Sequence, residues 1–210
     1  MNDQEKIQVI RNWLGSGAIN IFGLPFAGKD TQCDLLARAL NGSSIGGGEI
    51  MRDHPDQEVA REVMASGGIV PTDVFFQLIL PYFSKDEFKG KPLILSSVGR
   101  SHGEEPVIME AAQQSGHPVK AVFFLDMDEE EVWKRHKAAQ FDKDRGSRAD
   151  DSGDDVLRTR LENFRNNTMK VIDYYRECSL LTKIDGAASR EEVMSSIIDT
   201  LYQSALQKTS

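Results

Sequence analysis

Gly23-Leu24-Pro25-Phe26-Ala27-Gly28-Lys29 places two glycines and a lysine in the spacing G-x-x-x-x-G-K. That spacing suits phosphate chemistry. Glycines let backbone N–H groups turn inward around phosphate oxygens, and a following helix points its positive end at them. The lysine reaches the outer phosphates as a mobile point charge. Asp30 follows the lysine, and the hydroxyl suited to a phosphate or Mg²⁺ arrives one place later, at Thr31. Five arginines are spread behind the loop: Arg52, Arg100, Arg135, Arg148 and Arg160. The planar fork of arginine holds two phosphate oxygens at once, and phosphoryl transfer demands positioning and positive charge more than covalent chemistry.

The elements that must position these groups follow from periodicity. Ala18 to Phe22 reads as a strand and Lys29 to Leu40 as a helix ended by Asn41-Gly42, so the loop falls in the strand-to-helix turn it requires. Before them, Ile7, Ile10, Trp13 and Leu14 give residues 3–14 a helical apolar face. Further strands are expected at Leu93 to Leu95, Val119 to Leu125 and Leu180 to Ile184. Helices are expected at Glu104 to Ser115, Asp128 to Ala139 and 189–206, with residues 46–83 helical in short pieces. A long helix is expected to carry Leu157, Leu161, Phe164, Thr168, Val171 or Ile172, and Tyr175 on one face. Alternating strands and helices imply an α/β fold with a parallel sheet covered on both sides. Residues 141–155, FDKDRGSRADDSGDD, are too charged to form core and read as a linker or cover.

Composition narrows the function classes. The chain has 210 residues, 40% hydrophobic and 28% charged, with a net charge of −8. That is one ordinary globular domain, and the acidic balance argues against a nucleic acid partner. The apolar runs are too short to span a membrane, the start is polar and acidic, and Cys33 and Cys178 lie far apart in sequence. These features point to a cytoplasmic protein with two reduced thiols. His54, His102, His117 and His136 show no metal-ligand spacing, and His136 is expected to be an exposed helix residue.

The pieces also resemble, in order, those of the adenylate kinase family. GLPFAGKDTQ is similar to the family's G-x-P-G-x-G-K-G-T-Q loop, and GGGEIMRD at 46–53 to its S-T-G-D-x-x-R segment. GGIVPTDV at 67–74 resembles G-x-x-V-P-D, and LILSSVGR at 93–100 the strand that ends D-G-F-P-R. FLDMDEEEVWKR at 124–135, RADD at 148–151, Arg160 in LRTRL and VIDYYRE at 171–177 continue the series. The resemblance implies a P-loop fold of about five strands in a single domain, with a helical monophosphate-binding insert at about 46–76 and a short lid at about 136–152. It implies transfer of the γ-phosphoryl of ATP to a nucleoside monophosphate, AMP first, by a monomer using Mg²⁺. Gly23, Pro25, Ala27, Gly28, Lys29, Asp30, Thr31 and Arg135 would then bind ATP, with Thr31 near the metal. Gly47, Arg52, Val70, Arg100, Glu104, Arg148 and Arg160 would serve the monophosphate, and Lys29, Arg100, Arg135, Arg148 and Arg160 the transfer itself.

Five departures define the alternatives. Phe26 replaces a loop glycine, Ser96 stands in place of a strand-end aspartate, and Ala139 stands where a phosphate arginine belongs. Gly47 replaces a threonine beside the acceptor base, and Glu104 stands near a base-reading glutamine. The alternatives are a nucleotide-binding protein with weak transfer, or a kinase preferring another monophosphate such as GMP, whose two donors an ionised Glu104 could accept.

Overall fold

The computed structural model describes residues 2–48, 50, 79, 81–141 and 153–207. Helix α1 (Asp3–Leu14) is closed at its start by a capping box in which the Asn2 side chain accepts from the Glu5 N–H and Glu5 accepts from that of Asn2. It buries Ile10 and Leu14. Strand β1 (Ala18–Gly23) follows and is buried at every position. Helix α2 (Lys29–Leu40) ends where Asn41 turns into the left-handed region at φ 54°, as the Asn-Gly pair requires.

The sheet continues with β2 (Ser43–Gly46), β3 (Leu93–Ser96), β4 (Val119–Asp126) and β5 (Leu181–Asp185). Its order is β2-β3-β1-β4-β5, and every pairing is parallel. Strand β2 corrects the expectation of helix from residue 46. Ser43-Ser44-Ile45-Gly46 is short, buries fully only Ile45, and sits at an edge, so it lacks the apolar run that marks an inner strand. Its partner β3 supplies the signal that the segment itself lacks.

Helices α3 (Glu105–Gln114) and α4 (Glu129–Phe141) flank β4 in sequence. Helix α5 (Asp154–Asn163), a π turn (Phe164–Thr168) and α6 (Met169–Glu177) follow one another without a break, and α7 (Arg190–Gln207) closes the described chain. Side chains alternate across β1. Phe22 meets Tyr175 of α6 at 5.8 Å between ring centroids, while α1, α2 and α7 pack together against the sheet. On β4, Phe124 stacks on Phe164 of the π turn at 6.0 Å. The expected face of the long helix is buried at Leu157, Leu161, Phe164, Thr168, Val171, Ile172 and Tyr175. Those positions recur every three or four residues, and they stay on one face through the π turn.

Most of the expected insert at 46–76 and the expected lid beyond Phe141 lie outside the described residues. Among the described residues, no helix is long and apolar enough to cross a membrane. Cys33 is buried and Cys178 exposed, and both are free thiols.

Candidate active site

In a parallel sheet the crevice opens beyond the carboxyl ends of the strands, where neighbouring connections leave in opposite directions. Here that point is the end of β1, flanked by β3 and β4. The loop from Gly23 to Lys29 crosses it. A Cβ on Gly23 would sit 2.9 Å from the Leu125 carbonyl oxygen, so only glycine lets the loop leave β1 this close to β4. Gly28 has φ 82° and sets the turn into α2. Phe26, where glycine would have been unstrained, also lies in the left-handed region at φ 62°. Ala27 N–H closes the turn on the Leu24 carbonyl at 3.2 Å, and the Lys29 ammonium donates to that same carbonyl at 2.9 Å. The loop thus curls around the start of α2, whose partial positive charge favours anions.

Charge is concentrated here beyond what the loop itself carries. Burial pushes the Lys29 ammonium down from its ordinary 10.5 to about 8. Asp30 opposes that shift, while Arg160 and Arg100 add to it by repulsion. Arg100 beyond β3 and Arg160 on α5 therefore converge electrostatically on Lys29 although 71 and 131 positions separate them from it in sequence. Cations drawn together in this way favour the approach of an anion. A polyphosphate is such an anion.

The segment leading to Arg100 is held by groups that motif reading passed over. Asn20, buried in the middle of β1, donates to the Val98 carbonyl at 2.8 Å and accepts from the Val98 N–H at 3.3 Å. Thr168 in the π turn donates to the Arg100 carbonyl at 3.2 Å. The polar residue inside the apolar run Ala-Ile-Asn-Ile-Phe was the available signal for Asn20; nothing local marked Thr168. Past Arg100, Glu104 and Glu105 are both buried at the start of α3. Glu104 accepts from the Ser101 N–H at 3.0 Å, and Glu105 from the Gly103 N–H at 2.6 Å. Glu105 also lies 3.1 Å from the His102 Nδ1. A tight turn leaves backbone donors that must be satisfied once buried, and these carboxylates satisfy them.

On the other side of the loop, Arg135 of α4 donates to the Ala187 carbonyl at 3.0 Å and to the Phe26 carbonyl at 3.4 Å, with its Nε on Glu131 at 3.0 Å. It is thereby set between the phosphate loop and the turn after β5. His136 is buried and not exposed as expected. Its Nε2 lies 3.2 Å from Asp154, and its ring packs edge-on against Phe26 at 5.2 Å and Trp133 at 5.8 Å. Helical periodicity alone leaves position 136 ambiguous; the aromatic at loop position 26 is what covers it.

The structure therefore brings Gly23, Pro25, Ala27, Gly28, Lys29, Asp30 and Thr31 into one turn and adds Arg100, Arg135 and Arg160 around it. Gly47 sits beside the end of β3, where a Cβ would lie 3.1 Å from the Ser97 carbonyl oxygen. Ala139 lies on α4, two residues before its end at Phe141 and on the helix that carries Arg135 and His136, and Ser96 ends β3. Arg52, Val70 and Arg148 lie outside the described residues.

Comparison with known proteins places the chain in a family. Residues 21–180 match the family model for adenylate kinase. The chain is 28% identical over 186 residues to the adenylate kinase of Thermus thermophilus, covering 86% of this chain and 94% of that one. It is 28% identical over 189 residues to adenylate kinase isoenzyme 1 of Caenorhabditis elegans, covering 86% and 85%. It is 27% identical over 184 residues to the adenylate kinase of Prochlorococcus marinus, covering 85% and 95%. With a five-stranded parallel sheet, a glycine-lysine phosphate loop at its switch point and a family match that runs from β1 to the end of α6, the chain belongs to the adenylate kinase family and is a nucleoside monophosphate kinase.

Proposed function

We propose that the chain transfers the γ-phosphoryl group of ATP to AMP with Mg²⁺, forming two ADP, as a monomer in the cytoplasm. The observation that carries the reading is the convergence of Arg100 and Arg160 on Lys29. Transfer spreads negative charge over the equatorial oxygens of the moving group and over the oxygen it leaves. A lysine already depressed to about 8 by burial and by neighbouring cations is stabilised most when that charge lies against it. The loop backbone and α2 hold the donor phosphates, Arg135 stands on the donor side, and Arg100 and Arg160 hold the two phosphates in line. The resemblance alone assigns Arg52 and Val70 to the acceptor and Arg148 to the phosphates.

The residues at the start of α2 fit a hard divalent cation. Thr31 offers a hydroxyl and Asp30 a carboxylate, and Mg²⁺ is commonly held by one or two protein oxygens together with substrate phosphates. When bound it would supply charge neutralisation to the phosphates.

A coupled assay for ADP with ATP-Mg²⁺ and each of AMP, GMP, CMP and UMP tests the reading. The expected result is turnover with the highest kcat/KM for AMP. Binding of ATP without measurable transfer to any monophosphate would instead support a nucleotide sensor. Ser96 in place of a carboxylate at the end of β3 is the observation that keeps this second reading in view.

A further inference from the structure

The backbone between the end of β3 and Arg100 follows a path that its own residues do little to stiffen. Ser97 turns into the left-handed region at φ 48°, and Gly99 lies at φ 76°. The segment D-G-F-P-R, which LILSSVGR resembles, carries a proline where Gly99 stands. Proline fixes φ near about −65° and so stiffens the chain just before the arginine. It cannot adopt φ 76°, and glycine is the residue with most freedom to lose. Arg100 is therefore held in place from outside its own segment.

Asn20 is the central hold. It is fully buried in the middle of β1, where asparagine is disfavoured. Its carboxamide donates to the Val98 carbonyl at 2.8 Å and accepts from the Val98 N–H at 3.3 Å. One side chain thus pairs both main-chain groups of one residue, as a neighbouring strand would pair them. The β1–β3 register ends at Ile21 and Ser96, and the Ser97 N–H still reaches the Ile21 carbonyl at 3.0 Å. Asn20 carries the hold of β1 one residue further. Beyond it, a Cβ on Gly99 would lie 2.9 Å from Ile108 Cγ1 of α3, and Thr168 donates to the Arg100 carbonyl at 3.2 Å. The phosphate loop leaves the same strand at Gly23, three positions after Asn20. A single strand therefore presents Lys29 and fixes the approach to Arg100.

We propose that Asn20 is a positioning residue for phosphoryl transfer: by clamping the Val98 backbone it does the work of the missing proline and sets Arg100 relative to the phosphate loop. The inference rests on the reading of Arg100 as an arginine of the acceptor and of the transfer. The competing role for Asn20 is that of a satisfied polar group in the core. That role would change stability and would weaken ATP binding and transfer alike.

Asn20→Leu replaces the clamp with an apolar side chain of similar size and leaves Val98 without its pair. It is compared with wild type, with Arg100→Ala and with the double variant, in a coupled ADP assay with ATP-Mg²⁺ and AMP and by isothermal titration calorimetry of ATP alone. Asn20→Leu should lower kcat/KM for AMP about tenfold or more, because small displacements of an aligned group are costly in rate. Its Kd for ATP and the fraction of sites titrated should stay within about twofold of wild type, as expected of separate sites. In the Arg100→Ala background the same substitution should change kcat/KM by less than about twofold, because residues that act through one another are not additive. Losses that multiply in the double variant overturn the inference. So does ATP binding weakened as much as transfer, or an Asn20→Leu protein with wild-type kcat/KM. Should Asn20→Leu not fold, Asn20→Ala, whose smaller side chain admits water to Val98, carries the same comparison. An Arg100→Ala protein as active as wild type overturns the reading of Arg100 instead, and a wild type that does not phosphorylate AMP overturns the proposed function.

Discussion

Two loops leave the carboxyl edge of the sheet side by side, and they treat charge in opposite ways. The loop after β1 gathers Lys29 with Arg100 and Arg160, and the lysine falls to about 8 as a result of burial and their repulsion. The loop after β3 does the reverse. Its N–H groups at Ser101 and Gly103 are satisfied by the buried Glu104 and Glu105, and Thr168 holds the Arg100 carbonyl. The first loop concentrates cations that a bound anion would stabilise; the second directs its charge to its own backbone. The lesson is a division of labour. A binding site can hold like charges close together because the substrate offsets them, and the neighbouring structure keeps those charges in place.

The largest break in the comparison should come from Lys29→Ala. Losing this contact with developing charge should lower kcat by roughly a hundredfold or more. The melting temperature should not fall, because a desolvated cation repelled by two arginines is removed with it. A coupled ADP assay and calorimetry on the same preparation check both halves. Wild-type turnover would remove Lys29 from the site, and a large loss of stability would place it with the supporting structure.

Glu105→Ala should do the opposite. It strips a buried acceptor from the Gly103 N–H, which should cost about 1–3 kcal/mol in a denaturant titration. Arg100 should then be held less firmly, so KM for the monophosphate should rise more than kcat falls. A variant as stable as wild type would show that the second loop does not depend on its carboxylates.

The pH dependence sharpens the first loop. Lys29 has a folded pKa of about 8 against an ordinary 10.5, so between those values the unfolded chain binds more protons than the folded one. The Lys29 contribution therefore destabilises the ligand-free protein fully below about pH 8, and this penalty fades as pH rises toward 10.5. Comparing wild type with Lys29→Met by denaturant titration from pH 7 to 10 should show a gap that closes with rising pH. Polyphosphate needs the charged form, so ATP affinity should fall about fivefold from pH 8 to pH 9 and the fall should be accompanied by proton uptake on binding. A gap independent of pH would mean that the ammonium is not desolvated.

The smallest effect is expected at Glu104→Gln. Glutamine keeps an acceptor for the Ser101 N–H, so the ratio of kcat/KM for AMP over GMP should move by less than about threefold, within ordinary packing adjustments. A shift toward AMP of about tenfold or more would take the carboxylate off its own loop and place it on the base.

How much of this was legible in the chain differs from element to element. The loop from Gly23 to Lys29, its strand and its helix were readable because the constraints are local: glycine where a Cβ meets Leu125 or where φ is positive, lysine at the next position, an apolar run before and a periodic face after. The same holds for β4 and for the buried face from Leu157 to Tyr175. Strand β2 was not readable, since four residues with one fully buried side chain become a strand only when β3 offers them a partner. His136 was misjudged because its burial depends on Phe26, more than a hundred positions earlier. The bond that Asp30 accepts from Ser96 was not readable either, since Ser96 ends another strand. Sequence by itself determined the family, four of the five strands and the glycine-lysine loop between β1 and α2, because backbone conformation and hydrophobic periodicity act over a few residues. Tertiary structure alone decided which arginines converge on Lys29, which carboxylates are occupied by their own backbone and what holds Asp30, because electrostatic and hydrogen-bond partners are set by distance in space, which the order of residues along the chain does not encode.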